Sequence, residues 1–363
     1  MTQPPDAIDP ARRRARGAVS NAPGRFDLAR EAVDDGWDRE EDLPPFRTEV
    51  SVEHPRRVIT RNTSPDLSFD RAINPYRGCE HGCVYCFARP THAYLGLSAG
   101  LDFETRLVAK DGAAEVLEAE LRKPSYRADV LALGTATDPY QPEERDRRLT
   151  REVLKVLARA RHPVAIVTKG TLIERDIDLL GPMAAEGLVR VGMSITTLDA
   201  RLARAMEPRC PTPARRLAAV QRLSEAGVPV RVMTSPIVPG LTDHEVEALL
   251  AAAAKAGAVG ASWVMLRLPR EVSPLFREWL EEHVPDRAAR VMARVREMHG
   301  GQDYDARWGH RLRGEGHYAQ MIAARWRRAA RANGLDIRLP PLRTDLFRRP
   351  ERAGDQLSLF DVG

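Results

Sequence analysis

From about Arg71 to Leu268 the chain alternates short apolar or β-branched runs with stretches in which apolar residues recur at helical offsets, one cycle every roughly 30 residues. The runs predict strands at 130–134, 164–168, 188–195, 228–233 and 262–268, preceded by a short first strand ending near Asn74. Helices are predicted between them. Segment 150–161 carries Leu154, Val156 and Leu157 at helical offsets, and 213–226 is closed by Gly227 as a C-cap. A third helix begins at Thr242-Asp243, passes through Glu245 and Val246, and runs to Gly257. Six strands alternating with helices predict an α/β fold: a parallel sheet curled into a partial (βα)6 TIM-like barrel, with its active site at the C-terminal ends of the strands. The loop that leaves the first strand falls at such an end, and it carries three of the four cysteines.

Beyond Pro269 the rhythm stops. Two further helices, about 286–298 and 318–333, are joined by a segment rich in Gly, Trp and His, and from Phe347 onward the chain reads as a tail. At the other end, residues 1–60 mix Pro, Gly and both charges without sustained periodicity, which predicts an extended or disordered arm that carries little chemistry. The expected division is therefore an arm over 1–60, a core over 61–270, a helical extension over 271–346 and a flexible tail over 347–363. Length agrees, since 363 residues suffice for one barrel domain of roughly 200–250 residues with additions.

Charge changes the picture only locally. The net charge is +5, yet the stretch from Asp286 to Arg349 holds 15 Arg, no Lys and 7 acidic residues, an excess of +8. Such a basic extension can contact phosphates, although Arg-rich helices are commonly just solvated faces. The N-terminal Arg12, Arg13, Arg14 and Arg16 precede no apolar stretch like a secretion signal, and the longest low-charge run, around 249–254, is too short to span a bilayer. A soluble cytoplasmic protein with no membrane partner is expected. Three cysteines within eight residues suit a metal site in a reducing compartment better than a disulfide framework.

The segment in question reads Asn74-Pro-Tyr-Arg-Gly-Cys79-Glu-His-Gly-Cys83-Val-Tyr-Cys86. Cubane iron–sulfur clusters normally take four thiolates, so three on one tight loop leave an iron open to a small chelating molecule through an amine and a carboxylate. The alternatives are a structural zinc completed by His81 or His92, or ordinary buried thiols. Zinc sites usually bring ligand pairs from two knuckles, and no second Cys/His pair stands at suitable spacing. Plain core thiols would not need Gly78 and Gly82 to relax the loop.

The spacing Cys79-x3-Cys83-x2-Cys86, with the aromatic Tyr85 just before the last cysteine, resembles the radical S-adenosylmethionine (SAM) signature. The chain around it, about Ser68 to Pro269, resembles the branch that includes spore photoproduct lyase. The resemblance implies a 4Fe–4S cluster on Cys79, Cys83 and Cys86, an electron donor such as flavodoxin or ferredoxin, and reductive cleavage of SAM to methionine and a hydrogen-abstracting 5′-deoxyadenosyl radical. It also implies that Tyr85 packs near the adenine, that Lys169 in Val-Thr-Lys-Gly meets the SAM carboxylate, and that Ser194 in Ser-Ile-Thr-Thr faces the ribose or methionine end. Lys169 as a loop cap and Ser194 as a strand-end hydroxyl are the plainer readings. Asp138 and Gln141, in Gly134-Thr-Ala-Thr-Asp-Pro-Tyr-Gln-Pro-Glu143, are candidates to position SAM or substrate, or serve only turn chemistry set by Pro139 and Pro142. His92, Tyr94 and Tyr140 are weaker candidates for stacking or radical relay. One departure matters: the extra cysteine from which spore photoproduct lyase returns a hydrogen would fall near 134–137, where this chain has none, and the spare Cys210 does not match that position.

The tail ends Gln356-Leu357-Ser358-Leu359-Phe360, which resembles the short motif by which bacterial repair and replication proteins bind the DNA sliding clamp. Gln356 would make polar contacts while Leu357, Leu359 and Phe360 fill an apolar pocket; otherwise these residues fold back on the barrel as an edge strand. The sequence thus points to radical chemistry on damaged DNA, a lyase-like repair enzyme brought there by the clamp. The competing readings are radical SAM modification of a protein or small metabolite, and a non-catalytic, metal-stabilised clamp adaptor.

Overall fold

The computed structural model describes residues 8–26 and 45–351, so the tail motif of Gln356, Leu357, Leu359 and Phe360 lies outside the described residues. In chain order the strands are β1 (Glu49–Glu53), β2 (Ile59–Arg61), β3 (Arg71–Ile73), β4 (Tyr76–Arg77), β5 (Arg106–Lys110), β6 (Leu131–Leu133), β7 (Val164–Thr168), β8 (Val189–Ser194), β9 (Val230–Ile237) and β10 (Gly260–Met265). Seven of them form one sheet in the order β10–β9–β8–β7–β6–β3–β2. From β3 to β10 every pairing is parallel, and β2 adds to β3 antiparallel. This is the expected partial barrel: six parallel strands with helices returning the chain between them.

The helices form where the apolar positions recur. In Leu149–Arg159, Val153, Leu154, Val156 and Leu157 point inward. Pro213–Glu225 starts on an N-cap, Thr212, whose hydroxyl accepts from the Arg215 amide, with Pro213 in the first turn. Gly227 ends that stretch at φ +76°, a conformation open mainly to glycine. The two last strands depart from expectation. β9 runs past the expected end at 233 through Thr234, Ser235 and Pro236 to Ile237, and β10 spans Gly260–Met265 where 262–268 was expected. The polar end of β9 stays in the sheet because the Ser235 carbonyl has partners inside the barrel, the Lys169 ammonium and the Ser194 hydroxyl.

Two regions are more ordered than their sequence suggests. Residues 8–26 pack closely, with Ala18, Val19 and Ser20 buried along with Arg13 and Arg16, and β1 joins β5 and β4 in a second, three-stranded sheet. The order of the arm comes from buried polar contacts rather than from periodicity, so a hydropathy pattern does not reveal it. Beyond the barrel, helix Val272–His283, which was not expected, buries Val272, Phe276, Trp279 and Leu280 in one cluster with Val84 and Tyr85 of the cysteine loop. Helix Pro285–Met298 packs beside it. Helix Gly316–Ala332 lies on helix Val246–Lys255 and inserts Ile322, Trp326 and Ala330 into the main core. The outer edge of β10 is covered, since the Ala261 and Met265 amides donate to the Leu335 and Leu312 carbonyls. Among the described residues no helix is long and apolar enough to cross a membrane.

Candidate functional site

The cysteine loop leaves β3 at the C-terminal end of the sheet, and the protein fixes it from several sides. Cys79 and Cys83 are buried and Cys86 is half-buried. Gly78 and Gly82 hold φ values of +74° and +67°, and a Cβ on Gly78 would lie 2.7 Å from Leu107 and 2.9 Å from His92. The sharp turns between the thiols therefore depend on glycine, as the sequence suggests. The Cys79 amide donates to the Phe103 carbonyl at 2.9 Å, the Val84 amide to Met206 at 3.0 Å, and the Glu80 amide to the Gln141 side chain at 2.9 Å. Fully buried Arg89 donates to the carbonyls of Cys83 (3.0 Å), Gly82 (3.2 Å), Ala99 (3.0 Å) and Gly100 (2.9 Å), and pairs with Glu104. Glu104 in turn accepts from the Gly17 and Ala18 amides of the N-terminal arm at 2.8 and 2.9 Å.

A cluster fits these residues. Burial, then the neighbouring Cys83 and Cys79 sulfurs, pushes the Cys86 thiol up to about 12, so Cys86 alone stays protonated and a bound cation would be what turns it into a thiolate ligand. A single zinc ion fits less well. Among the described residues no group of three or more His, Cys, Asp or Glu side chains, the three cysteines included, is placed to hold a single metal ion. His81 faces Asp138 at 3.3 Å, and His92 Nε2 meets the Arg106 carbonyl at 2.9 Å with its ring edge-on to Phe103. Cys210, which the sequence left as incidental, is buried with its sulfur 3.8 Å from that of Cys83.

Beside the loop lies a buried polar floor built on the ends of β7, β8 and β9. Lys169 Nζ donates to Ser194 Oγ at 2.6 Å, reaches Thr196 Oγ1 and the Ser235 carbonyl at 3.4 Å each, and stands 3.2 Å from Glu207. Its ammonium lies over the Tyr85 ring, 5.6 Å from the centroid. The Tyr85 hydroxyl donates to Glu207 and meets Thr196 Oγ1 at 3.0 Å, and Ser194 Oγ donates to the Ser235 carbonyl at 2.8 Å. Glu207 is also paired with fully buried Arg216. Burial opposes the Glu207 charge, but Arg216, Lys169 and the hydroxyls of Tyr85 and Thr196 outweigh it and hold the carboxyl far below the usual range. Tyr85, Lys169 and Ser194 are thus brought together.

Asp138 and Gln141 stand one layer back. Asp138 accepts from Thr168 Oγ1 (2.6 Å), the Lys169 amide (2.7 Å) and the Tyr140 amide (2.9 Å), which leaves it fastening the β6 loop to the end of β7. Gln141, completely buried, accepts from the Glu80 amide with its carbonyl and donates from its amide to Thr137 Oγ1 at 3.1 Å, so it braces the cysteine loop. Tyr140 is buried against Asp176 at 3.1 Å, while Tyr94 is 68% exposed at the surface. Sequence reasoning missed Glu207, Arg216, Glu104 and Arg89. Arg216 was legible in principle: it shares one helix face with Ala219, Val220 and Leu223, and a cation inside an apolar stripe calls for a buried acid.

A loop with three thiols at the mouth of a six-stranded parallel barrel, next to a floor of charged and hydroxyl side chains, is the arrangement of iron–sulfur enzymes that work on a small chelating cosubstrate. The comparisons identify it. The family model described as the Radical SAM superfamily matches residues 73–253. An uncharacterized protein of Mycobacterium tuberculosis is 41% identical over 235 residues, which cover 64% of this chain and 68% of the relative. Another of Methanocaldococcus jannaschii is 30% identical over 173 residues, covering 48% and 62%. Among solved structures, a spore photoproduct lyase mutant aligns over 78% of this chain and 79% of its own with a TM-score of 0.55 at 16% identity, a likeness of fold. Another mutant of that enzyme, solved with bound AdoMet and dinucleoside spore photoproduct, aligns with a TM-score of 0.54 at 15% identity over 78% of each chain. The chain belongs to the radical SAM superfamily and is a radical SAM enzyme, whose cofactors are a 4Fe–4S cluster and S-adenosylmethionine.

Proposed function

We propose that this enzyme acts on DNA, abstracting hydrogen from a damaged base in a lyase-like repair reaction. The observation that carries the reading is a fold shared over 78% of the chain with spore photoproduct lyase, a protein solved with AdoMet and a dinucleoside lesion. Cys79, Cys83 and Cys86 would hold the cluster, which when bound would supply an electron to SAM, the source of the 5′-deoxyadenosyl group that takes the hydrogen. The residues of this chain hold the cosubstrate. Lys169 and Arg216 bring two positive charges against the single Glu207 carboxylate, and the positive charge left over suits one ligand carboxylate. The longest contacts of Lys169, at 3.4 Å to Thr196 and Ser235, are the ones such a group would replace. Asp138 positions Lys169 through its backbone amide, and Tyr85 supports the ammonium from below.

The hydrogen path differs from that of spore photoproduct lyase. Residues 134–137 are Gly-Thr-Ala-Thr, with no thiol, and Cys210 is turned to Cys83. A lesion other than the thymine dimer, or a different hydrogen donor, follows from that. Delivery by the sliding clamp through Gln356, Leu357, Leu359 and Phe360, and electrons from a flavodoxin or ferredoxin, complete the proposal. The test is anaerobic reconstitution, reduction and addition of SAM, with 5′-deoxyadenosine quantified alone, with ultraviolet-damaged DNA, with intact DNA and with a peptide mixture. Damaged DNA should raise the yield above every other condition. A yield indifferent to DNA would move the substrate to proteins or metabolites.

A further inference from the structure

Two residues past β10, at the same end of the barrel as the cysteine loop, Arg267 lies over the ring of Phe87, 4.3 Å from its centroid. Phe87 directly follows Cys86 and is 47% exposed, so one face is covered by the guanidinium and the rest of the ring is open. Arg267 is half-buried and, among the described residues, makes no hydrogen bond or ion pair. A guanidinium left in this state needs an anion, and the ring beneath it needs a flat apolar partner.

The surroundings repeat the pairing. Trp308, 52% exposed, is covered by Arg311 at 4.1 Å, and exposed Phe26 and Tyr94 meet at 5.6 Å under Arg25; Arg311 is paired with Asp66 and Arg25 with Glu271, so these groups add open ring faces while Arg267 supplies the unpaired cation. Exposed aromatic rings interleaved with arginines are what an unpaired nucleic-acid strand requires: π-faces for unstacked bases and cations for the phosphates between them. A continuous duplex offers no free base faces, so the occupant is single-stranded or locally opened.

We propose that Phe87 and Arg267 form a nucleotide subsite beside the cluster, in which Phe87 stacks a base of an unpaired DNA strand and Arg267 takes the adjoining phosphate. The assignment rests on the nucleic-acid reading of the substrate and names where on the enzyme the strand enters. It places the bound nucleotide next to Cys86, at the residue that follows the last cysteine of the loop.

The test uses the reconstituted full chain and fluorescence anisotropy with a fluorescein-labelled single-stranded oligonucleotide, across a series of salt concentrations. Arg267→Gln should weaken binding about 10-fold and lower the slope of log affinity against log salt by about 0.7, one phosphate contact on a single strand. Phe87→Leu should weaken binding about 10-fold and leave the slope unchanged, because stacking releases no counterions. Arg331→Gln, an exposed cation elsewhere, is the charge control. Iron content confirms that each variant keeps its cluster. Wild-type affinity in both subsite variants overturns this assignment alone. A wild-type protein that binds no strand overturns it together with the DNA reading.

Discussion

Glu207 shows what a single buried charge does here. It accepts from Tyr85 and Thr196 and pairs with Lys169 and Arg216, all within the protein interior. Replacing it by glutamine leaves Arg216 buried and uncompensated, so Glu207→Gln should lose about 3–5 kcal/mol of stability in denaturant unfolding. A loss under about 1 kcal/mol would mean that the pair is not coupled as described. His162 carries one part of the pH dependence. Its Nδ1 meets the Pro163 carbonyl at 3.0 Å and its Nε2 the Tyr126 hydroxyl at 2.8 Å, a pattern that suits the neutral ring. Burial lowers its pKa from 6.5 to about 4. The unfolded chain therefore takes up a proton below pH 6.5 that the folded protein refuses until about pH 4. This contribution is complete above pH 6.5 and is lost as the pH falls toward 4, up to about 3 kcal/mol in all. His162→Gln should flatten that part of the stability profile between pH 7 and pH 4.5; an unchanged slope would contradict the neutral assignment.

The element least expected from the sequence is the N-terminal arm, and it sits against the most important loop. Gly17 passes so close to Gly82 that a Cβ would lie 1.9 Å from the Gly82 carbonyl oxygen. Glu104 joins the two through Arg89 and the arm amides. Gly17→Ala and Glu104→Gln should both lower the iron retained after reconstitution, with Gly17→Ala the more severe because backbone has no room to give. Full iron loading in both variants would show that the arm does not support the loop. Elements with strong periodicity, such as β7 and helix Leu149–Arg159, were legible in the sequence because burial on one face dictates their pattern. The arm and the Arg89–Glu104 pair were not legible, because they are held by charge and backbone contacts between residues far apart in the chain.

At the scale of the molecule, the barrel brings three loops together: the cysteine loop after β3, the Lys169 turn after β7, and the Thr196–Glu207 segment after β8. Spacing marked the cysteine loop and the family resemblance singled out Lys169 and Ser194, which the structure sets side by side, but the carboxylate beside them lies 13 residues beyond Ser194 with no spacing rule to mark it. Helices Val272–His283 and Pro285–Met298 close the same end, with Trp279 donating to the Ala205 carbonyl at 3.0 Å, so this part of the extension and the core share one apolar cluster around the loop. The central claim is that Cys79, Cys83 and Cys86 hold a cluster that cleaves SAM, and anaerobic reconstitution with assay of iron and 5′-deoxyadenosine tests it most directly. The wild-type protein should hold about four irons and form the nucleoside under reduction, and alanine at any of the three cysteines should abolish it. Zinc in place of iron, or nucleoside formation that survives Cys83→Ala, would contradict the account.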